Sequence, residues 1–335
     1  MAEGAHPAYL SPSELGSKDY WESYYARTLA HISHGDAETD PNPLTEETSD
    51  ADSDADVNDE DDPGTSWFSE HNAPEKVVQF LTRRSFPLAP RNIRAKGQSP
   101  PSILDLGTGN GSMLALLRKK GRFAGKMVGV DYSARSVELA RELQRSRGHS
   151  AYRTDSEDDE DENEDEYSGE EDGFGAGDEA PDAASQRATE VAPIRFEEWD
   201  ILNSRALLSE TGEKITPSSD SETLSWFPYE EGGFDIALDK GTFDAISLAD
   251  DAQDTRVCER YPDIARRLVK KGGYLIVTSC NWTEDELVKW FAPETKPDQK
   301  DHLIVWGRVE YPRFRFGGQE GQGVCTVCFQ RVSNA

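Results

Sequence analysis

Asp105-Leu-Gly107-Thr-Gly109-Asn-Gly111 sets a carboxylate two residues ahead of three alternating glycines. Glycine takes positive φ freely and lets a ligand come close to the backbone, so such a run between a strand and a helix suits a nucleotide-binding turn. Alone the triplet is a weak signal, but its context strengthens it. Asp131 closes the next apolar stretch, 22 residues after Gly109, where an acid can accept both ribose hydroxyls of an adenosine. A dehydrogenase fingerprint would need a third glycine at position 112, and Ser112 stands there. Asp105 argues the same way, because its carboxylate would repel a pyrophosphate. S-adenosylmethionine has no phosphate, and its amino group and sulfonium are positive, so an acid at that place is favourable. Asp200 closes a third apolar stretch and can accept from an adenine amine. Three acids at three successive strand ends therefore point to S-adenosylmethionine. The candidate cofactor set is Asp105, Gly107, Gly109, Asp131, Asp200 and Asp239, with Tyr132 and Ile201, which follow two of the acids. At this stage Asp200 caps a following turn as readily as it binds adenine, and that alternative is weaker for Asp131.

A fourth apolar stretch ends in Asp239-Lys240-Gly241-Thr242-Phe243-Asp244. Ligands of open parallel sheets lie beyond the carboxyl ends of the strands, so this segment should flank a transferring methyl. It is neither the Asp/Asn-Pro-Pro-aromatic segment that serves exocyclic base nitrogens nor a Pro-Cys that attacks a pyrimidine ring. Lys240 has two readings, an ion pair with a nearby acid or a direct role. A fifth strand end carries Cys280-Asn281-Trp282-Thr283. Asn281 offers an amide and Trp282 a flat wall; equally, Asn281 can make a turn and Trp282 can pack the next helix. Cys325-x-x-Cys328 has no second cysteine pair or histidine cluster beside it, and at that spacing in a strand the two side chains face opposite sides. Buried thiols, and no metal, are expected.

The elements that must position these residues follow from periodicity. Residues 12–32 read as a helix capped by Ser17, and Pro74–Leu81 as a short helix with proline in its first turn. From Ser102 the pattern is strand (103–106), helix, strand (126–131) and helix capped by Ser133, joined by short connections, which predicts a parallel α/β sheet. Further strands are expected at 193–202, 234–239 and 274–280, with a helix around 257–268 interrupted by Pro262 and ended by Gly272-Gly273. Thr283 and Glu286 form a capping-box pattern. Two last strands, 302–311 and 324–332, join through the glycine-rich Phe314–Gly318, so the sheet should end with an antiparallel strand.

Composition explains the length. The chain has 335 residues and a formal charge of −29, from 65 acids against 36 Lys and Arg. Residues 36–62 hold 13 acids and residues 155–182 hold 16, with no base in either. Without them acids and bases balance. Blocks of like charge with few apolar residues cannot offset the entropy of ordering, so two disordered acidic inserts are expected, at 36–65 and about 153–192. The division is then an N-terminal helical segment (1–35), the first insert, and one domain (66–335) that holds the second. No apolar run is long enough to span a membrane and the N-terminus lacks a signal-peptide pattern. Four cysteines make no disulfide framework. A balanced core without a basic stripe disfavours nucleic acid as partner.

Taken together, Leu15–Trp21, Trp67-Phe68, the 103–111 loop, Asp131-Tyr-Ser133, Asp239–Ser247, Ser279–Thr283 and Phe314–Gly318 resemble the protein-lysine methyltransferases of elongation factor 1-alpha, the elongation factor methyltransferase 4 family. Asp-Lys-Gly-Thr-Phe-Asp-Ala-Ile-Ser-Leu combined with Thr-Ser-Cys-Asn-Trp-Thr is far more specific than a glycine loop. The resemblance implies a Rossmann-like sheet of seven strands, mostly parallel with an antiparallel C-terminal strand and helices on both faces. It also implies S-adenosylmethionine as cofactor, a lysine of elongation factor 1-alpha as acceptor, and a cytoplasmic location with the nucleus as a second compartment; apart from the resemblance, a monomer is expected. On that reading Lys240 is a cation that favours loss of the acceptor's proton, Asp239 or Asn281 orients the amine, Trp282 walls the pocket, and residues 12–32 and 281–318 set the acceptor. Methylation of another protein or a small amine, or cofactor binding without transfer, are the alternatives.

Overall fold

Strand β1 (Ile103–Leu106) is buried along its whole length. Its alternation splits it between two apolar layers, Ile103 with Ile236, Ile276 and Cys328, and Leu104 and Leu106 with Val128, Ala237 and Val277. Burial on both faces is what a parallel sheet covered by helices requires. In the computed structural model β1 pairs in parallel with β2 (Met127–Asp131) on one side and β4 (Phe234–Lys240) on the other. β3 (Arg195–Glu198) extends the sheet beyond β2, and β5 (Val269–Ser279) extends it beyond β4. β6 (Asp301–Val309) and β9 (Cys325–Ser333) complete it, and a short hairpin, β7 (Phe314–Phe316) and β8 (Gln319–Gly321), lies between them in sequence. The order is β3-β2-β1-β4-β5-β9-β6, a seven-stranded Rossmann-like sheet. The structure describes residues 7–34, 63–64, 68, 71–153, 192–251, 256–294, 300–312, 314–316 and 319–334. The acidic stretches predicted to be disordered lie outside the described residues, except for a few at their ends.

The antiparallel strand is β9, as expected for the C-terminus, but it does not form the sheet edge. It inserts between β5 and β6 and pairs antiparallel with both. The reason is burial: five consecutive residues of β9, Cys325–Phe329, are buried, whereas β6 alternates irregularly and exposes Ile304, so β6 takes the edge. Cys325 and Cys328 fall in opposite layers, as their spacing requires.

The helices are α1 (Lys18–His34), α2 (Ala73–Thr82), α3 (Pro90–Ala95), α4 (Ser112–Lys119), α5 (Ala134–Ser146), α6 (Thr242–Ser247), α7 (Val257–Leu268) and α8 (Glu284–Phe291). The predicted caps are present. The Ser17 and Ser133 hydroxyls accept from the amides of Tyr20 and Ser136 at 3.2 and 3.1 Å, and Thr283 with Glu286 completes the capping box. Pro262 does not interrupt α7, whose buried Tyr261, Ala265 and Leu268 hold it in register. Gly272-Gly273 lie inside β5, which starts at Val269, because the backbone bulges there and resumes pairing.

The N-terminal segment is not a separate body. Trp21 and Tyr25 of α1 pack against Leu139 and Leu143 of α5, and the amide of Ser13 donates to the carbonyl of Leu248 at 3.0 Å. A Cβ on Gly16 would stand 2.3 Å from the Leu248 carbonyl, so only glycine lets the chain pass α6 this closely.

Candidate functional site

The carboxyl ends of β1, β2 and β4 meet at one edge, where Leu106 lies opposite both Val130 and Asp239. The chain runs from β1 to one side and returns to the other, so this is the switch point at which open α/β sheets bind ligands. A cavity of about 190 Å³ opens there, walled by the 107–110 turn, Asp131 and Tyr132, Trp199–Leu202, Lys240–Thr242, Ile246, and Trp21 and Tyr25 of α1.

The glycine turn is shaped by what lies against it. Gly107 has φ +58°, and a Cβ there would come within 2.2 Å of the Thr242 hydroxyl, which donates to the Leu106 carbonyl at 2.6 Å. Asp131 anchors the turn from β2. Its Oδ2 accepts from the Gly109 amide at 3.1 Å and the Ser136 hydroxyl at 2.8 Å, and its Oδ1 accepts from the Ser133 amide at 3.0 Å. Burial raises the pKa of Asp131 while these three donors pull it down. A carboxylate offers about four lone-pair sites, so one remains, on Oδ1. That is room for one strong hydroxyl bond rather than the two expected from sequence.

The other acids divide. Asp200 lines the cavity with Ile201, and its oxygens accept from the amides of Leu202 and Asn203 at 3.1 and 3.2 Å and from the Asn203 side chain at 2.8 Å. The turn-capping alternative therefore describes its bonds, and what it presents to the cavity is the loop it holds. Asp105 is not on the wall. It accepts from the Thr108 hydroxyl at 2.8 Å behind the turn, and burial raises its pKa to about 6 against the pull of Thr108 and Lys240.

Asp239, expected to touch both cofactor and amine, is also off the wall. Its Oδ1 accepts from the amides of Thr242 and Phe243 at 2.9 and 3.1 Å, and its Oδ2 from the Tyr261 hydroxyl at 2.6 Å. It holds the start of α6, and burial pushes its pKa to about 7 despite those donors. Trp282 is likewise not a pocket wall. It is 4% exposed, its ring lies 5.9 Å from Phe243 and 5.7 Å from Trp290, and its Nε1 donates to the Ser247 hydroxyl at 3.3 Å. The backbone N–H of Asn281 donates to Ser279 Oγ at 3.1 Å in a turn, and the residue does not line the cavity. In both residues the packing and turn readings prevail, because α8 must cover the sheet directly after the turn.

Lys240 does line the cavity. Its ammonium sits 5.4 Å from the Phe68 ring centroid, and among the described residues no carboxylate stands within ion-pairing distance. Burial lowers its pKa, opposed by Asp105 and Asp239. Three residues the sequence reading passed over matter as well. Tyr25 is buried with its hydroxyl 3.0 Å from where a Gly109 Cβ would be, and burial followed by Asp131 holds its pKa well above the ordinary value. Trp21 joins it on the wall. The density of aromatics at 20–25 exceeded what one helix stripe needs and was the available signal. Asp244 is fully buried and accepts from the Ser279 hydroxyl at 2.5 Å and the Cys280 amide at 2.8 Å, tying α6 to the end of β5.

Comparison with known proteins gives this geometry its family. A methyltransferase domain model matches residues 99–172. Protein-lysine N-methyltransferase EFM4 of Saccharomyces cerevisiae is 31% identical over 325 residues, 96% of each chain. The chain belongs to the EFM4 family of protein-lysine N-methyltransferases. The Schizosaccharomyces pombe protein-lysine N-methyltransferase efm4 is 27% identical over 96% of this chain and 95% of its own. Human EEF1A lysine methyltransferase 2 is 24% identical over 96% of this chain and 88% of its own. The EFM4-type cavity fits S-adenosylmethionine: a glycine turn without bulk at Gly107 and Gly109, an acid with one open acceptor site at Asp131, and apolar walls at Trp199, Ile201 and Leu202 for a flat base. Among the described residues no group of His, Cys, Asp and Glu could hold a metal.

Proposed function

We propose that the enzyme methylates a lysine of translation elongation factor 1-alpha, acting as a monomer on protein rather than nucleic acid, in the cytoplasm and the nucleus. The observation that carries the reading is the match over 96% of the chain to relatives named as lysine methyltransferases, the human one of EEF1A. S-adenosylmethionine, when bound, supplies an electrophilic methyl on a sulfonium. The protein's own residues supply the rest. Gly107, Gly109 and Asp131 hold the adenosine end, while Trp21, Tyr25 and Ile246 exclude water. An acceptor lysine must arrive neutral, although free lysine titrates at about 10.4. Desolvation by those walls and the Lys240 ammonium both favour loss of its proton. The amine is left as nucleophile, and alignment within the cavity provides much of the rate. Asp239 and Asp244 act through position, fixing α6 and the end of β5 on either side of Lys240. Incubation of the purified chain with labelled cofactor and elongation factor 1-alpha, followed by peptide mass spectrometry, tests the reading. Label on a lysine of the factor supports it, and label confined to other proteins overturns the substrate.

A further inference from the structure

Phe68 has φ +74°, in the left-handed region where a bulky side chain is strained and glycine is not. It is 8% exposed, and its carbonyl accepts from the Ala73 amide at 3.3 Å, at the start of α2. Pro74, the next residue of that helix, lines the cofactor cavity. A turn that only had to start α2 would be less strained with glycine here. Strain of this kind persists where the side chain itself is needed. What the ring meets is Lys240, whose ammonium stands 5.4 Å from its centroid, within the range of a cation–π contact.

A buried ammonium in the cofactor cavity needs such a neighbour. The titratable groups whose charges act on Lys240 are Asp105 at the end of β1, Asp239 next to it in β4, and Cys280 just past β5. Asp131 of β2 and Tyr25 of α1 line the same cavity. Burial raises the Asp105 and Asp239 carboxyls to about 6 and about 7, and it pushes the Cys280 thiol up to about 12. Near neutral pH the support that the two acids give a cation therefore varies with their own protons. An aromatic face carries a fixed negative potential and no proton to lose. We propose that Phe68 is a positioning residue for the reaction, its ring holding the Lys240 side chain charged and at the cavity wall. The inference rests on the reading of Lys240 as the cation that favours a neutral acceptor amine.

Nuclear magnetic resonance of the full chain with isotope-labelled lysine side chains follows the titration of Lys240 with no acceptor present, and Lys240→Met assigns its signal. Trifluorophenylalanine placed at position 68 keeps the size of the ring and weakens its negative face. The ring favours the charged form, so weakening it should lower the Lys240 midpoint by about 0.5 pH unit or more. Phe68→Tyr, which keeps an aromatic face, should leave the midpoint near that of wild type. A midpoint unmoved in the fluorinated protein overturns the proposal and leaves Phe68 as an apolar residue that fills the core. A second measurement is the pH profile of methyl transfer to elongation factor 1-alpha. Its alkaline limb, where Lys240 loses its charge, should move down with the midpoint in the fluorinated protein and stay in place in Phe68→Tyr. A limb that does not follow the midpoint overturns the part of the ring in the reaction. A wild type that transfers nothing to the factor, beside a midpoint that follows the ring, contradicts the acceptor and leaves the hold of Phe68 on Lys240 standing.

Discussion

Trp282→Ala separates a core residue from a substrate wall. Trp282 is buried among Phe243, Trp290 and the surrounding layer of Leu287, Phe291 and Phe329, and no part of it lines the cavity. Truncation leaves a void in a close-packed layer and removes the hydrogen bond that the indole gives to the Ser247 hydroxyl, which still donates to the Phe243 carbonyl at 2.6 Å. Large-to-small changes of this kind cost about 3–5 kcal/mol. For a domain of this size each kcal/mol lowers the melting temperature by about 2–4 °C, so a fall of roughly 6–20 °C is expected. Trp282→Phe keeps the ring stack and loses chiefly the indole hydrogen bond, about 0.5–1.5 kcal/mol. Urea and thermal denaturation of both variants give the stabilities. Calorimetric titration with S-adenosylmethionine well below each melt shows whether the folded fraction still binds. The expected order is wild type, then Phe, then Ala in stability, with near-normal cofactor affinity for molecules still folded. An Ala variant that melts within about 2 °C of wild type yet has lost methyl transfer would refute the core assignment and restore Trp282 to the acceptor pocket.

Four further outcomes follow from the same geometry. Asp131→Ala removes a charged acceptor and the anchor of the glycine turn, so cofactor affinity should drop by about 1.5–3 kcal/mol; unchanged affinity by calorimetry rejects its role. Asp239→Ala strands the Thr242 and Phe243 amides and should destabilise by about 1–3 kcal/mol, whereas Asp239→Asn, which keeps an acceptor there, should recover most of that in urea unfolding. Because the folded-state pKa values of Asp239 and Asp105 are raised from 3.8 to about 7 and about 6, the folded state binds their protons more tightly. The stability they contribute is fully present below about 4 and is lost as pH rises through those values, so the gap between wild type and Asp239→Asn should move against wild type from pH 5 to 8; a gap constant across that range contradicts the assignment. Gly16→Ala drives a Cβ into the Leu248 carbonyl, so α1 should lose protection from limited proteolysis and cofactor binding should weaken with it.

The strands were legible because residues such as Ile103-Leu104 and Leu275–Val277 form short apolar runs bounded by glycine and acids, a pattern that parallel pairing explains on its own. Caps were legible for the same local reason, as Ser17, Ser133 and Thr283 act within one turn. Placement was not. Whether an acid at a strand end faces ligand or backbone depends on which amides surround it, and those come from α6 for Asp239 and from the 202–203 turn for Asp200. Trp282 and Asn281 are adjacent to the site in sequence, yet α8 must fold back over the sheet at that point, which turns the indole inward. The place of α1 was invisible for another reason: Trp21 and Tyr25 meet the glycine turn across some 85 residues, and helical periodicity says nothing about what a helix packs on. The position of β9 inside the sheet similarly reflects a comparison of burial between two strands rather than a property of either.

Methyl transfer to a defined acceptor is the most direct test of the account. The full chain, supplied with radiolabelled S-adenosylmethionine, is offered elongation factor 1-alpha, histones, total RNA and small amines in parallel, and the modified residue is located by mass spectrometry. Label on a lysine of elongation factor 1-alpha, reduced by Asp131→Ala at limiting cofactor and strongly reduced by Lys240→Met, is the predicted result. Label on RNA or small amines, with none on any lysine of the factor, would contradict it.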